Sequence, residues 1–492
     1  MVRLRMVLVV ALVAMLVSAA SADTHTWDAG GAADTDWDQG LNWDQSDTVP
    51  ATTDDAAFGG STDRTVTIAT GDQSIANVAV TSTAKWTFDG GNTLNVSGQF
   101  AYGSNDSSAF DGAVLGGGGQ LLATNGRLYM YTAGTYSGGT TLNGGKLYVG
   151  ADNALGSGTV TLTSGVICAK TKGTSYGNSY SVSNAVSLGG SISTDSTGGR
   201  GRTLTFTGNV DLTANSTIYI HSDANGSRYL SFTGDIDDGG GAFGLTKQGN
   251  GVLTLAGDNG FDGGVRVEAG MLLADHNNAL GEGTLTIDGG QVHTTTGVTA
   301  GNAVVLDSDI NTKGGGRNKT LEFTGPATLT GTRSFDIYRD ANGSRTLKFS
   351  GPMGDGGAGY GLVKAGDDGV LTLAGDNTFS GGVDVQVNGL HIDHVNALGT
   401  GPLTIASGRS VTYDSYFDVL VSGLTLGSDT FGGGIQYDIT GTYTSNESNS
   451  VDFNNFFNGA GTIMVPSPYV VPEPAGLGLL GLALLGLRRR RG

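Results

Sequence analysis

The chain has 492 residues, of which 86 are glycine and 8 proline, and only 14% are charged. Glycine and proline together fall below the roughly 25–30% that marks unstructured low-complexity sequence, so a folded array is expected. The formal net charge of −19 gives a surface that repels nucleic acid and anionic lipid, which excludes nucleic acid as a partner.

The first element is an export signal. Met1–Arg5 carries two arginines, Met6–Val17 is apolar, and Ala20-Ser21-Ala22 precedes Asp23. That order predicts a secretory signal peptide over 1–22, with Ala20 and Ala22 as the small residues read by signal peptidase. The stretch 23–125 is expected to be an N-terminal β cap and the start of a β-helix. Trp27, Trp37, Trp43 and Phe58 sit there among Asp and Asn residues. A stacked fold needs its first hydrophobic face covered, which is the main reading. A sugar-stacking platform is the alternative.

Repeats organise the body of the chain. Tyr136-Ser137-Gly138-Gly139 through Asn153-Ala154-Leu155-Gly156 aligns without gaps with two later stretches. These are Phe261-Asp262-Gly263-Gly264 through Asn278-Ala279-Leu280-Gly281, and Phe379-Ser380-Gly381-Gly382 through Asn396-Ala397-Leu398-Gly399. The leader Gly251-Val252-Leu253-Thr254-Leu255-Ala256-Gly257-Asp258-Asn259 returns almost unchanged at 369–377. Asp223-Ala224-Asn225-Gly226-Ser227-Arg228 returns as Asp340-Ala341-Asn342-Gly343-Ser344-Arg345. A fixed internal period means stacked units. Within each unit, Val252-Leu253-Thr254-Leu255 alternates apolar and hydroxyl residues, the period of a strand with one buried face. Gly-Asp-Asn, Gly-Gly and Asn-Gly clusters supply turns. Strand starts recur at Leu253, Met271 and Gln291, so one coil of short strands is expected about every 18–20 residues. Coils of that size, some twenty in number at ~4.8 Å each, predict a parallel β-helix on the order of 100 Å long.

The leader, Phe-Ser-Gly-Gly, Asn-Ala-Leu-Gly and Gly-Thr-Leu-Thr-Ile series resembles the autotransporter-associated β-strand repeat over roughly 126–408, most closely at 245–290 and 362–408. The resemblance implies an all-β, right-handed parallel β-helix or solenoid that serves as a passenger or adhesin segment. Residues 409–464 form a terminal β region, too short and irregular for the membrane barrel that ends a self-translocating autotransporter.

Candidate chemistry is sparse. Cys168, the single cysteine, excludes an intrachain disulfide framework and reads as a small buried hydrophobe. Gly173-Thr174-Ser175-Tyr176-Gly177 matches a nucleophile elbow but lacks the following helix, and Gly357–Gly361 fails as a phosphate loop on the same ground. His391 and His394 are three apart, yet on a strand entering a turn they point to different faces. Asp258-Asn259 and Asp376-Asn377 read as turn residues rather than calcium ligands, with the asparagines stacking between coils. Lys247 and Lys364 recur at matching positions, a structural pattern. No catalytic, metal or cofactor residue is assigned and no enzymatic activity is expected. A polysaccharide lyase or hydrolase is the alternative, for which no unique cluster of carboxylates breaks the repeat.

The chain ends with Pro472-Glu473-Pro474, an apolar run from Ala475 to Leu487, and Arg488, Arg489, Arg490 and Arg491. The prolines stop any preceding helix, the run can enter a membrane, and the arginines stay cytoplasmic. Thirteen apolar residues span only about 20 Å as a helix, short of the ~30 Å hydrocarbon core. This tail, 465–492, resembles the PEP-CTERM sorting signal of exported bacterial surface proteins, which implies processing by an exosortase-type enzyme near the Pro-Glu-Pro. The chain is therefore expected at the cell surface or in the extracellular matrix, transiently held in the inner membrane, with extracellular polysaccharide as a partner.

Overall fold

The structure is a computed structural model describing residues 23–28, 35–44, 48–173, 178–195, 201–223, 226–313, 316–413, 418–431, 435–446 and 449–465. The signal helix expected over 1–22 and all but the first residue of the segment 465–492 lie outside them. Among the described residues the only helical turns are Gly40–Asn42 and Phe453–Asn455, both of the 3₁₀ type. The rest is strand and turn, most of it a parallel β-solenoid as the alternation predicts.

The alternation becomes a ladder. Tyr229–Phe232 pairs in parallel with Val252–Leu255, which pairs with Met271–Ala274, which pairs with Gln291–His293. In each strand alternate residues point inward, so Leu230, Leu253, Leu272 and Val292 lie in one file and are all buried. Stacking identical faces hides each coil's apolar residues against the next and pairs its backbone on both edges. Aromatic residues stack in the second inward file, two residues further along each strand. The rings of Phe206 and Phe232 stack at 5.4 Å, and those of Phe323 and Phe349 at 5.6 Å.

The repeated motifs are corners. Tyr136, Phe261 and Phe379 are fully buried, as are the Ala and Leu of each Asn-Ala-Leu-Gly. The closing Gly156, Gly281 and Gly399 take φ of +65°, +67° and +68°. A Cβ on any of them would lie 2.3 Å from the carbonyl oxygen of Tyr136, Phe261 or Phe379. Positive φ and close approach both demand glycine there, so the motif pairs an aromatic residue with the glycine that lets the next coil close over it.

The solenoid has about 16 coils, fewer than the twenty expected. The spacing read from Leu253, Met271 and Gln291 holds locally, but Thr203 pairs with Tyr229 and Thr320 with Thr346, each 26 residues further on. Part of the surplus goes into the Asp-Ala-Asn-Gly-Ser-Arg blocks, within which short antiparallel pairs form. Ser222–Asp223 pairs with Gly226–Ser227, and Arg339–Asp340 with Gly343–Ser344.

Both ends are plugged by aromatic side chains. At the N-terminal end Trp27, Trp37, Trp43, Phe58 and Trp86 form one cluster, with Trp37 and Trp43 centred 4.9 Å apart and Phe58 and Trp86 5.0 Å apart. At the other end the chain turns antiparallel: Leu424–Leu426 with Asp429–Phe431, and Ile435–Asp438 with Thr462–Val465. There Phe431, Tyr437, Tyr443, Phe453 and Phe457 pack together, with Phe431 and Phe453 centred 5.0 Å apart.

Candidate functional site

The N-terminal tryptophans are buried. Trp27, Trp37, Trp43 and Trp86 are 4%, 1%, 0% and 0% exposed, and the Trp43 indole nitrogen donates to the Trp37 carbonyl at 3.1 Å. A sugar needs an open ring face, and these buried rings offer none.

The acidic surplus is largely consumed at corners. Asp258 accepts the Asn278 amide and Asp376 the Asn396 amide, each at 2.7 Å. Beside them Asn259 and Asn377 are buried and donate to the Ala279 and Ala397 carbonyls at 2.6 Å. Their side-chain oxygens accept the backbone N–H of Ile236 and Met353 on the preceding coil, both at 2.8 Å. The asparagines thus tie three successive coils. Asp355 accepts the backbone N–H groups of Gly357, Gly359 and Tyr360 and the Ser380 hydroxyl. Burial pushes its carboxyl up, but these bonds outweigh it and hold the pKa at about 2. The glycine-rich loop 357–361 is therefore wrapped around an aspartate, not shaped to cradle an anion.

Histidines and lysines are similarly occupied. His276 and His394 accept the N–H of Asn278 and Asn396 at 3.2 and 3.1 Å, while His391 lies in the strand Leu390–Ile392. Among the described residues no group of three His, Cys, Asp or Glu side chains converges as for a metal. Lys247 and Lys364 are fully buried. Lys247 donates to the carbonyls of Gln248, Gly249 and Ala269 at 2.9, 2.6 and 3.0 Å. Lys364 donates to the Asp367 carbonyl at 2.6 Å. Burial lowers their pKa values to about 7 and about 8. Their side-chain nitrogens satisfy corner carbonyls inside the coil. Of the elbow-like run 173–177 only Gly173 is described, with φ +80°, and the sorting residues Ala20, Ala22, Pro472–Pro474 and Arg488–Arg491 lie outside the described residues.

A 520 Å³ groove carries Asp211, Asp235, Asp237 and Asp258. Asp211 and Asp237 are direct neighbours on adjacent strands, a spacing that invites comparison with paired catalytic carboxylates. Both are exposed, whereas an acid catalyst keeps its proton by burial.

One polar cluster escapes the repeat. Tyr129 and Tyr148 stack at 4.5 Å and Tyr129 and Tyr131 at 5.6 Å, with the Lys170 ammonium 5.2 Å from the Tyr148 ring. The Tyr148 hydroxyl donates to the buried Asp195 carboxylate, and Lys146 stands 3.9 Å from Asp195. Burial first, then the bond to Asp195, drives the Tyr148 phenol far up, and burial pushes Tyr131 to about 12 and the Cys168 thiol to about 11. Protonated phenols and a protonated thiol are poor nucleophiles, so the cluster locks coils rather than reacts. The tyrosines were visible in the sequence as departures from the sister residues Thr254 and Leu273.

The comparisons with known proteins match this geometry. The passenger-associated-transport-repeat model matches residues 125–149, 245–274 and 362–389, the strand-and-corner units just described. The PEP-CTERM protein-sorting motif matches residues 470–491. The chain carries both signatures. It is also 33% identical over 148 residues to the adhesin BmaC autotransporter of Brucella suis biovar 1 (strain 1330). That match covers 30% of this chain and 3% of the adhesin. No solved structure matches the chain. Repeats, sorting motif and adhesin likeness together fit an exported surface protein. No helix among the described residues is long and apolar enough to cross a membrane.

Proposed function

We propose that the chain is a non-enzymatic stalk or adhesin displayed outside the cell. The observation that carries this reading is a capped solenoid joined to the PEP-CTERM motif at 470–491. In this reading 1–22 is the signal peptide, 23–125 the capped start, 126–408 the repeat rod, 409–464 the closing region and 465–492 the sorting segment. Signal peptidase acts at Ala20-Ser21-Ala22. The run 475–487 then holds the chain in the inner membrane, with Arg488–Arg491 on the cytoplasmic side, until an exosortase-type enzyme acts near Pro472-Glu473-Pro474. Extracellular polysaccharide is the partner. The corner bonds of the aspartates and the burial of the lysines support a structural use of the polar residues.

Mass spectrometry of the native protein tests the route. The reading expects a mature N-terminus at Asp23 and loss of the arginine tail. A C-terminus still ending at Gly492 in surface-located protein would remove the processing step. Release of reducing sugar or unsaturated product from any polysaccharide by the purified chain would remove the non-enzymatic assignment.

A further inference from the structure

A second groove, of about 480 Å³, runs along the outer face of the solenoid. Its file follows the coil register: Tyr229 beside Val252, Val252 beside Met271, Met271 beside Gln291. Four coils at ~4.8 Å make this file roughly 14 Å long. Asn250 and Lys313 also line it. In the sister ladder the same file reads Thr346, Val370, Gly389 and Ser410. The aromatic ring, the thioether and the amide are thus local departures from the repeat, which the packing of the coil does not require.

Two features decide what fits. No carboxylate lines the groove among the described residues, although the chain has 45 acidic and 26 basic side chains. Lys313 is the cation facing it, so the groove is a break in an acidic surface. The strands beneath it are bonded on both edges, Met271–Ala274 to Val252–Leu255 on one side and to Gln291–His293 on the other. An extended peptide would find no backbone groups to pair with there. A glycan needs none: it needs a ring face to stack on and side-chain amides for its hydroxyls.

We infer that this groove binds a short stretch of an acidic polysaccharide. Tyr229 stacks on a sugar ring, Val252 and Met271 form the floor, Asn250 and Gln291 bond hydroxyls, and Lys313 meets a sugar carboxylate. The inference rests on the surface-adhesin reading for where the glycan is met, but its test does not.

The test is calorimetric titration of the purified mature chain with oligogalacturonate, with cellotetraose as the neutral probe and an acidic extended peptide as the other class. Oligogalacturonate binding is expected, weakened roughly tenfold by Tyr229→Thr and by Lys313→Glu. Thr already occupies the sister position, so Tyr229→Thr is expected to leave the melting temperature unchanged. Cellotetraose is expected to bind more weakly than oligogalacturonate and to ignore Lys313→Glu. Absence of oligogalacturonate binding, binding untouched by both folded variants, or preference for the peptide overturns the inference. Cell adhesion measured in parallel separates the two ideas: adhesion by a chain that shows no oligogalacturonate binding leaves the adhesin reading standing while the groove fails, and binding lost in both variants without any cell adhesion does the reverse.

Discussion

Gly281 sits at φ +67°, and a methyl group there would lie 2.3 Å from the Phe261 carbonyl oxygen. Gly239 has φ +60° with nothing within 4 Å. The pair separates backbone strain from collision. Gly239→Ala should cost about 1 kcal/mol for the left-handed conformation alone, and Gly281→Ala about 3 kcal/mol or more because a packed backbone must also shift. Urea unfolding of the two variants reads the difference. Lys247 makes a second prediction at this scale. Its pKa is about 7 in the fold against 10.5 as a free side chain, owing to burial. Below pH 7 folded and unfolded states both hold the proton, and the cost of burying the charge is complete. Between about pH 7 and 10.4 the unfolded chain binds more protons, so stability rises with pH. Lys364, at about 8, adds to the same slope. Melting temperature should therefore climb from pH 7 to pH 9, and Lys247→Met should flatten the climb.

Strand pairs and caps carry the next level. Asp211 faces Asp237 across adjacent coils, and like charges directly opposite destabilise a pair. Asp211→Asn should stabilise the chain by a few tenths of a kcal/mol at low salt, a gain that vanishes in high salt. The C-terminal plug predicts a different kind of response. Phe453 is fully buried among Phe431, Tyr437, Tyr443 and Phe457. Phe453→Ala should cost about 3–5 kcal/mol within the plug. Each coil of a solenoid leans mainly on its neighbours, so hydrogen exchange should speed up in the last coils and stay unchanged near Leu253. Uniform acceleration along the chain would contradict that local stacking.

The described residues form a rod whose length follows from coil number. About 16 coils at ~4.8 Å each give roughly 75–80 Å, to which the plugs add. Small-angle scattering should report an elongated particle of that order, and a compact sphere would contradict it. The sequence alone determined the strand period, the corner glycines and the PEP-CTERM motif, because each is written in residues close together along the chain. Leu253 and Leu255 had to share a face, and Gly281 had to sit where only glycine fits. The coil count, the burial of the tryptophans and the second plug were decided by contacts between residues far apart in sequence. Trp27 meets Trp86 only after the coils have stacked, and Tyr229 lines a groove with Gln291 only because the intervening coils, though unequal in length, return to one register. Local periodicity has no access to such meetings, since they depend on how many residues each coil spends before it returns to the ladder.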